Sequence, residues 1–230
     1  MPARLILQEW QARKLSHAQA IEDLYRSRDR GLIAGVRLVT DVRDRELAAE
    51  REEVCRLRFM RLGASLQKFR EHPVIDRFLA AFRDVEGSVA FRFKLLLLRG
   101  PSRAAKTQKA ASLFGYQHSL VVNMQGLGAN LPSLRMFSKE RYKAIIFDEA
   151  THEQVLANKM LFQGGPWPVT LGQSACGQHA YDVDVYGVPM ILCSNTFKLH
   201  VSEGLSEEDS DWLRHNIEEA ALPSGALAWY

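Results

Sequence analysis

Apolar runs and helical spacings divide the chain from residue 73 onward into alternating segments. Leu95 to Leu98 is an unbroken apolar run and reads as a strand buried on both faces. Ser119 to Met124, Tyr142 to Phe147 and Val188 to Cys193 read as further strands. Ile75, Phe78, Leu79 and Phe82 recur at i, i+3, i+4 and i+7, which predicts an amphipathic helix with Pro73 in its first turn. Thr151 to Gln154 has the composition of a helix cap, and the helix it opens should run to about Phe162, before Gly164-Gly165-Pro166. Ser206 to Asp209 caps a last helix, expected to turn Trp212, Leu213 and Ile217 inward. Trp167 to Leu171 and His179 to Val185 predict a hairpin with its tip at Gly172 to Gln178; Tyr181, Val183 and Val185 share one face of its second strand.

Residues 1–72 have a different pattern. Ser16 to Gln19 forms a capping box, and Ile21, Leu24 and Tyr25 follow on one helical face. Leu32 to Val39 is apolar, and its pattern suits either kind of element. Asp44 to Glu71 predicts a long helix, charged at first, with an apolar face at Phe59, Leu62, Leu66 and Phe69. Arg51, Arg56, Arg58 and Arg61 give it a basic face, which suits solvent, an oligomer contact or nucleic acid. The expected division is a helical region at 1–72, a candidate for oligomerisation, an α/β domain at 73–222 and a tail at 223–230. Strands alternating with helices predict a parallel central sheet.

Composition narrows this only a little. The chain has 230 residues and a formal charge of +3, too mild to imply a nucleic-acid partner by itself. Its three cysteines are odd in number and far apart, which predicts free thiols in a reducing compartment. The N-terminus lacks the apolar core of a signal peptide, and no apolar run approaches 18 residues. The expectation is an intracellular protein, nuclear or cytoplasmic, that does not enter a membrane.

Candidate chemistry gathers where the apolar runs end. After Leu98 the chain reads Gly100-Pro101-Ser102-Arg103-Ala104-Ala105-Lys106-Thr107 and then turns helical. Strand, glycine-opened loop, Lys-Thr and helix are the parts of a phosphate-binding loop, or P-loop. Such a loop turns backbone N–H groups toward a phosphate at the positive end of a helix. The pattern has glycine where this chain has Ala105. If that position needs positive φ, alanine costs roughly 1 kcal/mol or more. Asp148 and Glu149 close the strand that starts at Tyr142. In a phosphate-loop ATPase the first such carboxylate holds magnesium and the second activates water. Asn195 follows the strand ending at Cys193, where an amide can reach a γ-phosphate and the water. The plainer readings are a βα turn with a chance lysine, acids that merely end a strand, and an asparagine that merely turns the chain. Cys176 and His179 have ligand spacing, but zinc usually wants four ligands. Arg214 suits either a plain surface role or a contact with a neighbour's phosphate.

Three stretches in this order, Leu95 to Thr107, Ala144 to Ala150 and Val188 to Thr196, resemble Walker A, Walker B and the asparagine-bearing motif C of superfamily 3 helicases. They are most similar to the replication-initiator (Rep) proteins of small circular single-stranded DNA viruses of the geminivirus-like branch, and to captured or truncated Rep-like proteins. The resemblance covers about residues 90–215. It implies an AAA+-like P-loop NTPase core, ATP and Mg2+ as cofactors, ring-shaped homo-oligomers and single-stranded DNA as partner. By motif, residues 100–107 would bind the nucleotide, Lys106 the phosphates, Thr107 and Asp148 the magnesium. Glu149 and Asn195 would complete the catalytic set with Lys106, and residues 167–186 would be the DNA-contacting hairpin. The chain differs at Ala105, has no Lys or Arg between Lys159 and Lys198, and has no His-x-His pair of a nicking domain. It is therefore expected not to nick DNA.

Two functions follow as expectations. One is an ATP-dependent helicase-type ATPase; the other is a Rep-like remnant that binds nucleotide or partners without turnover. A small-molecule kinase using the same loop is a third reading.

Overall fold

A computed structural model describes residues 3–27, 32–64, 71–88, 90–130, 134–172 and 180–221. The chain falls into two compact units, Met1–Arg58 and Phe59–Tyr230. The first is helical, with α1 at Ala3–Gln11, α2 at His17–Ser27 and the start of α3, Leu32–Ala64. Ser16 and Gln19 form the expected reciprocal cap of α2, with Gln19 N donating to Ser16 Oγ at 3.3 Å and Ser16 N to Gln19 Oε1 at 3.1 Å. Ile6, Trp10, Ala20, Leu24 and Val39 make its core. Tyr25, expected beside Leu24, is 61% exposed, because the buried line runs from Ala20 to Leu24 instead. The undecided apolar piece at residues 32–39 is the first part of α3. There Gly35 lets Leu24 approach closely: a Cβ would lie 3.0 Å from a Leu24 methyl. The side chains of Phe59, Leu62, Leu66 and Phe69 lie outside the described residues.

The second unit is α/β. After the end of α3 comes α4, Pro73–Ala80, where Pro73 takes the first turn and Val74 N donates to His72 Nδ1 at 3.3 Å. Then follow β1 (Leu95–Arg99), α5 (Lys106–Phe114), β2 (Ser119–Asn123), β3 (Ala144–Asp148), α6 (His152–Ala157), α7 (Lys159–Phe162), β4 (Val169–Leu171), β5 (Tyr181–Val183), β6 (Met190–Ser194), α8 (Glu207–Asn216) and β7 (Ile217–Ala221). Five strands form one sheet in the order β2-β3-β6-β1-β7, with every pairing parallel. Period two divides them between two cores. Leu95, Leu97, Ile145, Phe147, Met190 and Leu192 enter one; Leu96, Leu98, Ile146, Ile191 and Cys193 enter the other with Ile75 and Phe78 of α4. Burial on both faces is what the unbroken apolar runs require. Parallel pairing also brings the C-terminal ends of β1, β3 and β6 to one edge, where ligands bind in open α/β sheets.

Two details differ from the sequence reading. The helix expected from Thr151 to Phe162 is capped as expected but breaks at Asn158, whose Nδ2 donates to Ala129 O at 2.8 Å and Gln154 O at 2.9 Å. A side chain serving backbone carbonyls in this way competes with a continuous helix. Ile217 opens β7 rather than ending α8, because β1 has an open side and the backbone of residues 217–221 pairs with it. The expected hairpin is present as the antiparallel pair β4–β5, with Val169 opposite Val183 and Leu171 opposite Tyr181. Residues 173–179, which include Gln173 and Cys176 of its expected tip and His179 at the expected start of its second strand, lie outside the described residues. No helix among the described residues is long and apolar enough to cross a membrane.

Candidate functional site

The loop from β1 to α5 places Lys106 and Thr107 in the first turn of the helix. Positive φ at Arg103 (65°) and Ala105 (56°) bends the backbone there. Ala105 stands at the N-cap and makes no side-chain cap, so the first amides of α5 are left to other acceptors. Ala105 does adopt the left-handed conformation that would favour glycine, which costs about 1 kcal/mol.

Lys106 is 7% exposed. Its Nζ donates to Gly100 O at 3.2 Å, Pro101 O at 2.9 Å and Asn195 Oδ1 at 2.6 Å. The ammonium thus has all three protons satisfied by neutral oxygens, which an anion can displace at a gain in charge pairing. The Asn195 amide continues the chain, with Nδ2 donating to Glu149 Oε2 at 3.3 Å. Its oxygen faces a cation and its nitrogen an anion, which fixes the amide's sense. Beside this chain, Thr107 Oγ1 donates to Asp148 Oδ1 at 2.7 Å. A hydroxyl and a carboxylate in contact are hard oxygen donors of the kind magnesium takes. Glu149 has φ 56°, a strained setting for a glutamate and typical of positions held for function.

Lys106, Thr107, Asp148, Glu149 and Asn195, drawn from the ends of three strands, are therefore in one connected cluster. Gly100 joins it through its N–H, which donates to Ser194 O at 3.2 Å. Pro101 contributes its carbonyl, and Ser102, Arg103 and Ala104 complete the loop. Cys193 lies beneath, wholly buried; burial, and next the charge of Asp148, push its thiol far up, so it stays a neutral part of the floor. A cavity of about 510 Å3 adjoins the cluster, lined by Glu149, Thr151, Glu153, Gln154, Ser194 and Thr196 among others.

The sequence reading missed a second polar cluster next to the first. Arg99, the residue before Gly100, donates from Nη1 to Phe197 O at 3.1 Å and to Glu203 Oε1 at 2.7 Å, and its Nε forms an ion pair with Glu219. Burial disfavours its charge, yet the two carboxylates raise its pKa overall. Burial likewise opposes ionisation of Glu203, but N–H groups of Leu199 and His200 and the Arg99 guanidinium bring its pKa down to about 2. The one available signal was an arginine directly ahead of the loop glycine. Arg214, by contrast, is exposed on α8 near Asp211, away from any such network. Among the described residues no group of three or more His, Cys, Asp or Glu side chains could hold a metal. Cys55 and Cys193 are free thiols.

No protein-family model and no curated protein matches the sequence. Among solved structures the chain is similar to NtrX from Brucella abortus, crystallised in complex with ATP, at 17% identity and a TM-score of 0.40. The match covers 82% of this chain, which spans 42% of that one.

Proposed function

We propose that this chain is a magnesium-dependent P-loop ATPase of helicase type, related to viral replication initiators and without their nicking domain. The observation that carries the proposal is the connected cluster of Lys106, Thr107, Asp148, Glu149 and Asn195 at the sheet edge. In this reading residues 100–107 cradle the phosphates, and Lys106 leaves its loop carbonyls for the β- and γ-phosphate oxygens. Thr107 and Asp148 would hold a magnesium ion, whose chemistry when bound would be to offset phosphate charge. Glu149 takes a proton from the attacking water, and Asn195 orients that water against the γ-phosphate. Residues 1–72 would serve assembly into a ring, and single-stranded DNA would be the partner. The test is ATP hydrolysis by the whole chain with and without single-stranded DNA, beside Lys106→Ala. Magnesium-dependent hydrolysis that rises with DNA and is lost in the variant is expected; equal rates in parent and variant would remove this mechanism.

A second reading is a nucleotide-binding module with little or no turnover. Ala105 at φ 56° supports it, and so does a hairpin region with no Lys or Arg from residue 160 to 197 to meet DNA phosphates. Nucleotide binding without hydrolysis would select it.

A further inference from the structure

We propose that Arg99 is a positioning residue that sets the Asn195 amide in front of the phosphate loop. What the amide does there rests on the nucleotide reading above; how it is held does not. Asn195 is only half-buried, and its own side-chain contacts are Lys106 and Glu149. Both partners would re-aim once a triphosphate arrived, so they cannot be what locates the amide during turnover. Its backbone is located on one side by the main chain of β1 and on the other by the Arg99 side chain. On one side, the β1–β6 ladder pairs Arg99 with Ser194, and Gly100 N donates to Ser194 O at 3.2 Å. On the other, Arg99 Nη1 donates to the carbonyl of Phe197 at 3.1 Å.

The clamp is closed behind Phe197. Glu203 accepts from Leu199 N at 2.7 Å and His200 N at 3.0 Å with one oxygen, and from Arg99 with the other. Phe197, Leu199, His200 and Glu203 are thus tied to one guanidinium, directly or through the Glu203 carboxylate, and the guanidinium also pairs with Glu219 of β7. A planar fork can serve a carbonyl and two carboxylates at once; a lysine ammonium on a flexible stem holds no such fixed fork. Among the described residues the Arg99 side chain contacts Phe197, Glu203 and Glu219 and not Lys106, Thr107, Asp148 or Glu149, so its influence on chemistry runs through the segment that carries Asn195.

The test is a double-mutant cycle on ATP turnover with Arg99→Met and Asn195→Ala. Arg99→Met is expected to lower kcat about tenfold while KM for magnesium-ATP stays within about threefold. In the Asn195→Ala background the same change should alter kcat less than about twofold. Arg99→Lys should fall between parent and Arg99→Met. Equal factors in both backgrounds, or an effect on KM alone, would overturn the proposal. If Arg99→Met does not fold, Glu203→Gln runs the same cycle. A readout without turnover is the backbone amide of Asn195 in nucleotide-free protein, followed by 15N NMR after asparagine-selective labelling and identified by its loss in Asn195→Ala. It should exchange slowly in the parent and markedly faster in Arg99→Met. An unchanged signal contradicts the role of Arg99. A parent that hydrolyses no ATP sinks the proposed function instead, and the amide signal still decides the clamp.

Discussion

In β1, Leu95 to Leu98 are fully buried; their backbone pairs with β7 and, from Leu96 on, with β6 as well, and their side chains enter apolar cores. A few residues on, Ala105 stands in left-handed backbone, Lys106 is buried among oxygens, and side-chain contacts run to Asp148 and Asn195. β3 and β6 repeat the contrast: apolar and wholly buried inside, polar at their C-terminal ends, with Glu149 at φ 56° just past β3. The strand interiors supply stability; the strand ends use some of it to hold strained backbone and a buried cation. Changes inside the strands should move stability, and changes at their ends should move chemistry.

The largest stability effect expected is from Leu97→Ala, which empties a wholly buried position in the larger core and should cost about 2–5 kcal/mol in denaturant unfolding. A loss below about 1 kcal/mol would mean that the sheet interior is not the main store of stability. Glu203→Gln tests the boundary between the two zones. The folded pKa of Glu203, about 2, lies below its ordinary 4.5, so the carboxylate stabilises above about pH 4.5 and the gain fades as pH falls toward 2. Its side chain is 31% exposed, so solvent screening keeps the expected loss near neutral pH to about 1–2 kcal/mol. Parent and variant curves should converge in acid; a difference independent of pH would assign the effect to packing. The smallest change is Ala105→Gly, which relieves the left-handed strain and should raise stability by about 0.5–1 kcal/mol. A lower melting temperature in that variant would show that Ala105 is held there by contacts worth more than its strain.

The same contrast explains what could be read beforehand. Asp148, Glu149 and Asn195 were legible because they close or follow apolar runs, and Lys106 and Thr107 because a glycine-opened loop joins them to one; a parallel sheet must bring such ends together. The strain at Ala105 was legible only as a condition, since φ is not written in the residue. β7 was hidden: Glu218, Glu219 and two alanines have weak strand preference, and pairing with β1 overrides it. The helical start of α3 was hidden because a short apolar piece fits either period. Arg99 was hidden because Glu203 is 104 positions away and the strand order alone brings them together.

The central claim is that the cluster at the sheet edge receives a triphosphate. Calorimetric titration of the whole chain with magnesium-ATP tests it most directly, comparing the parent with Lys106→Ala. Saturable one-site binding that weakens at least about tenfold, or about 1.4 kcal/mol, in the variant is the predicted result. Equal affinity in the two proteins, or no binding by the parent, would contradict the account.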